Sequence, residues 1–199
     1  SGDRALIADA ARLGAGRHAS GHPWWSMGAA PFAEHQNAPP AVQARGDVTA
    51  RPVYAEWYGA DAYLSLHSNA SGRDRSTASG TVTYRYSCRA VRDHANDPAP
   101  SVCDDPAGSD RLQTEVHDAL VRRLRADWDP SWRDRGTKAA NFGEVRELAG
   151  IPGALVETAF HDNVVKASSE LRATDNQALH DPRWRRAAAW GLYEGLTRF

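Results

Sequence analysis

The segment AYLSLHSNA, residues 62–70, constrains the fold and function of this chain more than any other. Tyr63, Leu64 and Leu66 form a short, apolar, β-prone run that ends in His67 and a polar loop. This pattern is typical of a buried strand followed by a loop. Ligands bind at the carboxyl ends of strands in open α/β sheets, so His67 is a candidate metal ligand or catalytic base. A lone histidine at a strand end can equally be structural.

A second apolar run carries an acid at its polar end. The residues ALVETAF, 154–160, form another buried-strand pattern that includes Glu157. If both strands belong to one parallel sheet, His67 and Glu157 emerge at the same edge. An imidazole and a carboxylate there fit a zinc hydrolase, in which zinc lowers the pKa of water toward ~7 and Glu157 takes its proton. The alternative is a structural carboxylate satisfied by Arg146 or Lys138.

The periodicity between these runs predicts helices, and therefore an α/β fold with a mostly parallel twisted sheet flanked by helices. Apolar residues at helical spacing indicate an amphipathic helix over 110–128. We predict a helix at 51–58 with Pro52 in its first turn, and a C-terminal helix with Asp181 as its N-cap. The other predicted elements are short helices within 29–36 and 141–148, a strand at 80–87, and a loop around Arg135.

The composition is that of an ordinary globular chain. Its 199 residues are 41% hydrophobic and carry a formal net charge of -1, which fits one main core. This charge gives no reason to expect nucleic acid or an anionic membrane as a partner. No apolar run approaches the ~18 residues that a membrane-spanning helix needs.

Two cysteines, Cys88 and Cys103, flank a polar loop with little apolar material to hold it. A disulfide closing this loop would add roughly 3 kcal/mol of stability and would indicate an oxidising compartment. Two unpaired thiols are the alternative. No CxxC pair or nearby histidine completes a zinc site with these cysteines.

The segments LSLHSNA (64–70) and PGALVETAFHDN (152–163) resemble two signatures of the zinc-dependent N-acetylmuramoyl-L-alanine amidases, "SIHANA" and "PAVLVExGFxSN". The resemblance covers roughly residues 47–199, with the elements in the same order. It implies that His67 binds Zn²⁺ and that Glu157 is the catalytic acid/base. The implied reaction cleaves the amide between N-acetylmuramic acid and L-alanine in peptidoglycan. A bacterial protein that is secreted, periplasmic or associated with the cell wall is implied as well.

That family takes two further zinc ligands from a segment of the form "DPGHGGxDPGA". The nearest match is GHPWWSMGA (21–29) with Glu34 downstream, so His22 and Glu34 are the weaker metal candidates. The better account is that these ligands precede Ser1. Residues 4–14, RALIADAARLG, resemble the final strand of a golvesin-type β-sandwich, which some bacterial wall amidases carry inside the catalytic domain.

This resemblance predicts three segments. They are a strand remnant of an inserted sandwich at 1–16, a linker or helical segment at 17–50, and the C-terminal portion of the catalytic domain at 51–199. The domain can therefore be incomplete in this chain. The alternative function is a catalytically incomplete cell-wall-binding module with the amidase fold. A third is a metallopeptidase or deacetylase with a similar arrangement of strand ends.

Other polar residues are candidates for the groove. Asn69 follows His67 closely and could hydrogen-bond near the substrate. Arg135, Asn141 and Glu144 precede the Glu157 strand and could line the groove, although the sequence does not position them. His117 lies on the 110–128 helix and is predicted to be a surface or flank residue.

Overall fold

A computed structural model describes residues 21, 28–73, 75–87, 105–166 and 168–199. Four strands and seven helices occur within these ranges. The elements in chain order are α1 (Ala29–His35), α2 (Pro40–Gln43), α3 (Asp47–Tyr58), β1 (Tyr63–Asn69), β2 (Thr81–Tyr86), α4 (Ser109–Asp127), β3 (Asp134–Ala140), α5 (Gly143–Arg146), β4 (Gly153–Phe160), α6 (Asp175–His180) and α7 (Pro182–Arg198). The strand remnant expected within residues 1–16 lies outside the described residues, as do both cysteines.

The four strands form one mixed sheet in the order β1-β4-β2-β3. The pairs β1–β4 and β2–β3 are parallel, and β4–β2 is antiparallel. The prediction of a mostly parallel sheet flanked by helices is therefore confirmed. The two apolar strands of the sequence, β1 and β4, are direct neighbours.

The main core lies between one face of β4 and the helix pair α4/α7. Leu112, Val116, Leu120 and Leu124 of α4 are fully buried there, as the helical spacing predicted. The two helices approach closely at glycines of α7. A Cβ at Gly195 would lie 2.5 Å from Val116 Cα, so only glycine fits there. Ala154 and Val156 of β4 face this core.

A smaller core covers the opposite face of the sheet. Leu155 packs there with Val145 of α5 and with Tyr86 of β2. Because side chains alternate along a strand, Glu157 lies on the same face as Leu155. Helix α5 therefore covers the face of β4 that carries Glu157.

The predicted boundary of α3 is wrong. The helix begins at Asp47, so Pro52 lies inside it and not in its first turn. Its end is as predicted, because Gly59 adopts a left-handed conformation (φ 76°) and its N–H bonds Ala55 O and Glu56 O.

The predicted loop around Arg135 is also wrong, since these residues form strand β3. Helix α6 was not predicted at all. Within the described ranges, no helix is both long enough and apolar enough to cross a membrane.

Candidate functional site

The pairing of β1 with β4 brings the two candidate residues together. His67 and Glu157 are direct register partners in this parallel pair, as Ser65 and Leu155 are two residues earlier. Register partners on neighbouring strands point to the same face of a sheet. His67 and Glu157 therefore lie side by side on the face that α5 covers, near the carboxyl ends of both strands.

The Nε2 atom of His67 has two polar neighbours. His67 Nε2 lies 3.0 Å from Ser65 Oγ and 3.2 Å from Glu144 Oε1. The imidazole and this carboxylate are largely buried, with 13% and 7% of their side chains exposed. A buried carboxylate is costly unless it has a polar partner. The contact with His67 supplies one.

Helix α5 determines where Glu144 lies. Gly143 packs against α3 so closely that a Cβ there would lie 3.3 Å from both Val48 Cγ1 and Thr49 Cγ2. The turn before α5 is fixed by Arg146, whose Nη1 donates to Asn141 O and Oδ1, each at 3.1 Å. The backbone that carries Glu144 is therefore anchored on both sides.

The environment of His67 favours the neutral imidazole. Burial, and then the positive charge of Arg51, lower the pKa of His67 to about 4. The ring is therefore uncharged at neutral pH, which is the form that binds metal ions. Tyr84 of the neighbouring strand has its pKa raised by burial and by the charge of Glu157. Glu157 thus lies within electrostatic reach of Tyr84.

The remaining candidate residues each have different surroundings. Asn69 Oδ1 accepts from the N–H of Ala70 at 2.8 Å, which is a local turn contact. Glu34 is exposed on α1. His22 lies outside the described residues. Asn141 is buried as the partner of Arg146, and Arg135 lies 5.0 Å from the centre of the Phe160 ring.

The expectation for His117 is wrong, because this residue is only 2% exposed. Its Nδ1 contacts Thr83 Oγ1 at 3.0 Å and its Nε2 contacts Asp134 Oδ1 at 2.8 Å. Both ring nitrogens have protein partners, so His117 joins α4 to β2 and β3. This is a structural histidine.

The donor atoms at His67 are of the kind that zinc accepts, namely imidazole nitrogen and carboxylate oxygen. Their number is smaller than a complete zinc site requires. Among the described residues, no group of three or more histidine, cysteine, aspartate or glutamate side chains could hold a metal ion. His67 therefore fits zinc as one ligand of a set that the described residues do not complete.

The chain matches a known protein family over most of its length. The Amidase_3 family, described as N-acetylmuramoyl-L-alanine amidase, matches residues 37–198. The chain belongs to this family. The amidase match spans every strand of the sheet and includes both His67 and Glu157.

Relatives of this amidase family member support the same affiliation. The chain is 28% identical over 169 residues to N-acetylmuramoyl-L-alanine amidase CwlM of Bacillus licheniformis, a match that covers 83% of this chain and 52% of the relative. The chain thus spans about half the length of that curated relative.

Solved structures show that the amidase fold is shared. The catalytic domain of CwlV, an N-acetylmuramoyl-L-alanine amidase from Bacillus (Paenibacillus) polymyxa var. colistinus, superposes with a TM-score of 0.55 at 20% identity, covering 85% of this chain and 79% of that one. N-acetylmuramoyl-L-alanine amidase from Clostridium difficile 630 gives 0.54 at 24% identity, covering 76% and 63%.

Proposed function

We propose that this chain is a peptidoglycan hydrolase that cleaves the amide between N-acetylmuramic acid and L-alanine, with water activated by zinc. The observation that carries the proposal is the register pairing of His67 with Glu157 on adjacent parallel strands of an amidase-family sheet. The family affiliation supports the reaction, and the pairing puts a candidate metal ligand beside a carboxylate.

His67 would hold the zinc ion together with further donors, because the described residues alone do not complete a group of three. Zinc bound there would lower the pKa of water toward ~7 and would polarise the carbonyl group of the substrate. The neutral state of the His67 ring leaves a nitrogen lone pair for that role. His22 and Glu34 stay candidates for the further donors.

Glu157 would move the proton. Its carboxylate takes a proton from the attacking water and then delivers it to the amine of L-alanine as the amide bond breaks. Its position on β4 keeps it beside His67 without a flexible loop between them. A group held on a rigid strand loses little entropy when the reacting atoms are aligned.

Peptidoglycan lies outside the bacterial cytoplasmic membrane, so the proposed substrate implies a secreted, periplasmic or wall-associated protein. A disulfide between Cys88 and Cys103 would be consistent with that environment. Both cysteines lie outside the described residues.

The test is a product analysis with purified peptidoglycan. We expect new amino-terminal L-alanine without new reducing sugar ends, and loss of metal content in His67→Ala. Glu157→Gln should lower kcat by about 10²–10⁴-fold while metal content is retained. Glu147→Gln is the matched control, because Glu147 pairs with Arg45 and Arg146.

Two outcomes would contradict the proposal. One is a Glu157→Gln variant that cleaves as fast as the parent chain. The other is a chain that sediments with cell-wall sacculi and neither binds zinc nor releases L-alanine termini. That second result would identify the wall-binding module instead.

A further inference from the structure

The contact between Glu144 and His67 assigns a role to a carboxylate that neither signature segment contains. Glu144 Oε1 lies 3.2 Å from His67 Nε2, and Ser65 Oγ lies 3.0 Å from the same nitrogen. An ionised carboxylate only accepts hydrogen bonds, whereas a serine hydroxyl can donate or accept. The proton of the neutral ring must therefore be on Nε2 for the Glu144 contact to be favourable.

The other ring nitrogen is left for a different partner. Within the described part of the chain, His67 Nδ1 has no hydrogen-bond partner. His117 provides a comparison inside the same molecule, since both of its nitrogens are taken by Thr83 and Asp134. Of these two histidines, His67 alone has one nitrogen held by a carboxylate and the other available.

We propose that Glu144 is a positioning residue whose carboxylate accepts the Nε2–H of His67 and so makes Nδ1 the metal-binding nitrogen. This inference rests on the proposed function, because it concerns the metal that His67 would hold. A histidine that binds a metal through one nitrogen commonly donates the other N–H to a carboxylate, which fixes the tautomer and raises the basicity of the ligand.

The fold supports this role through the anchoring of α5. Gly143 lies against α3, and Arg146 ties the preceding turn to Asn141, so Glu144 approaches His67 from a fixed backbone. Ser65, two residues earlier on β1, restrains the same nitrogen from within the strand. The ring is therefore oriented from two independent elements.

The first experiment reads the tautomer in the metal-free full chain by NMR of ¹⁵N-labelled histidine. We expect the proton of His67 on Nε2. In Glu144→Gln the new amide can donate to Nε2, so the proton should move to Nδ1 in part or all of the molecules. Glu147→Gln, the neighbouring glutamate changed in the same way, should leave the tautomer unchanged.

The second experiment measures zinc affinity by competition with a chelator. Glu144→Gln should bind zinc about 10–100-fold more weakly than the parent chain. Glu144→Asp keeps the charge and should recover part of that loss, whereas Glu147→Gln should bind as the parent does. Circular dichroism of each variant confirms that it is folded.

The outcomes separate this inference from the proposed function. A parent chain that binds zinc and cleaves peptidoglycan but carries the His67 proton on Nδ1 overturns only the role of Glu144. Unchanged zinc affinity in a folded Glu144→Gln variant does the same. A parent chain that neither binds zinc nor cleaves peptidoglycan overturns the proposed function itself, whatever the tautomer.

Discussion

Asn163 shows how one side chain can hold the neighbourhood of the site together. It is fully buried, and its Nδ2 donates to Ser76 O and Val165 O, both at 3.0 Å. Its Oδ1 accepts from Asp175 N at 2.8 Å. The loop after β1, the end of β4 and the start of α6 therefore meet at this residue.

We expect Asn163→Ala to lower the free energy of unfolding by about 2–4 kcal/mol, because it leaves three backbone groups, two of them buried, without their partner. Urea denaturation monitored by circular dichroism measures this change. Asn176→Ala is the matched control, since its side chain makes one surface-exposed bond, to His161 O, and the change should cost about 1 kcal/mol or less. Equal losses in the two variants would contradict the role of Asn163.

Asp175 gives a prediction about pH. Burial raises its pKa from 3.8 to about 6, although its Oδ2 accepts from Gly80 N and Phe160 N. The folded state then binds more protons than the unfolded state between these values, so this residue makes stability fall as pH rises from about 4 to about 6.

Asp175→Asn keeps an acceptor oxygen and removes the charge. As pH rises from 4 to 7, the unfolding free energy of the variant should increase relative to that of the parent chain by on the order of 2 kcal/mol. Urea denaturation at several pH values measures this difference. A difference between the two proteins that does not change with pH would show that Asp175 titrates normally.

At the scale of elements, the contact between α4 and α7 depends on two glycines one helical turn apart. A Cβ at Gly191 would lie 2.7 Å from Leu120 Cα, and one at Gly195 would lie 2.5 Å from Val116 Cα. Both neighbours are backbone atoms, so they cannot move aside without displacing the helix.

Gly195→Ala should therefore destabilise the protein by about 1–3 kcal/mol, although alanine favours helix formation by about 1 kcal/mol in isolation. Thermal unfolding followed by circular dichroism tests this. Gly46→Ala is the control, because its φ is -62° and no atom lies within 4 Å of the added Cβ. A stabilised Gly195→Ala variant would show that the helices can separate at little cost.

The elements with a hydrophobic pattern could be predicted, and those without one could not. Strand β4 and helix α4 bury an apolar run or stripe, whereas β1 was recognisable from its apolar sequence although it is an edge strand whose Leu66 is exposed. Strand β3 was missed because it is a largely exposed edge strand of sequence DRGTKAA, so no apolar alternation marks it. Helix α6 has only 6 residues, but its capping box between Thr174 and Gln177 was a readable signal.

The arrangement of the candidate site was predictable in part for the same reason. His67 and Glu157 end apolar strands, and a parallel sheet brings such ends together. The contact of Glu144 with His67 depends on how α5 packs against α3, and no local pattern reports a tertiary contact of that kind. The burial of His117 on α4 could not be predicted, because it depends on tertiary contacts with Thr83 of β2 and Asp134 of β3.

At the scale of the whole molecule, zinc binding should be coupled to folding. A ligand that binds only the folded state stabilises it by about 2.7 kcal/mol when its concentration is 100 times Kd, which raises Tm by roughly 5–10 °C in a chain of this size. We expect such a rise on adding zinc and its reversal by a chelator. His67→Ala should abolish the rise, because it removes the proposed ligand, and Glu157→Gln should retain it, because the proposed role of Glu157 is proton transfer. His180→Ala, an exposed histidine at the end of α6, should behave as the parent chain does. A rise that survives in His67→Ala would place the metal, and with it the proposed catalytic centre, elsewhere.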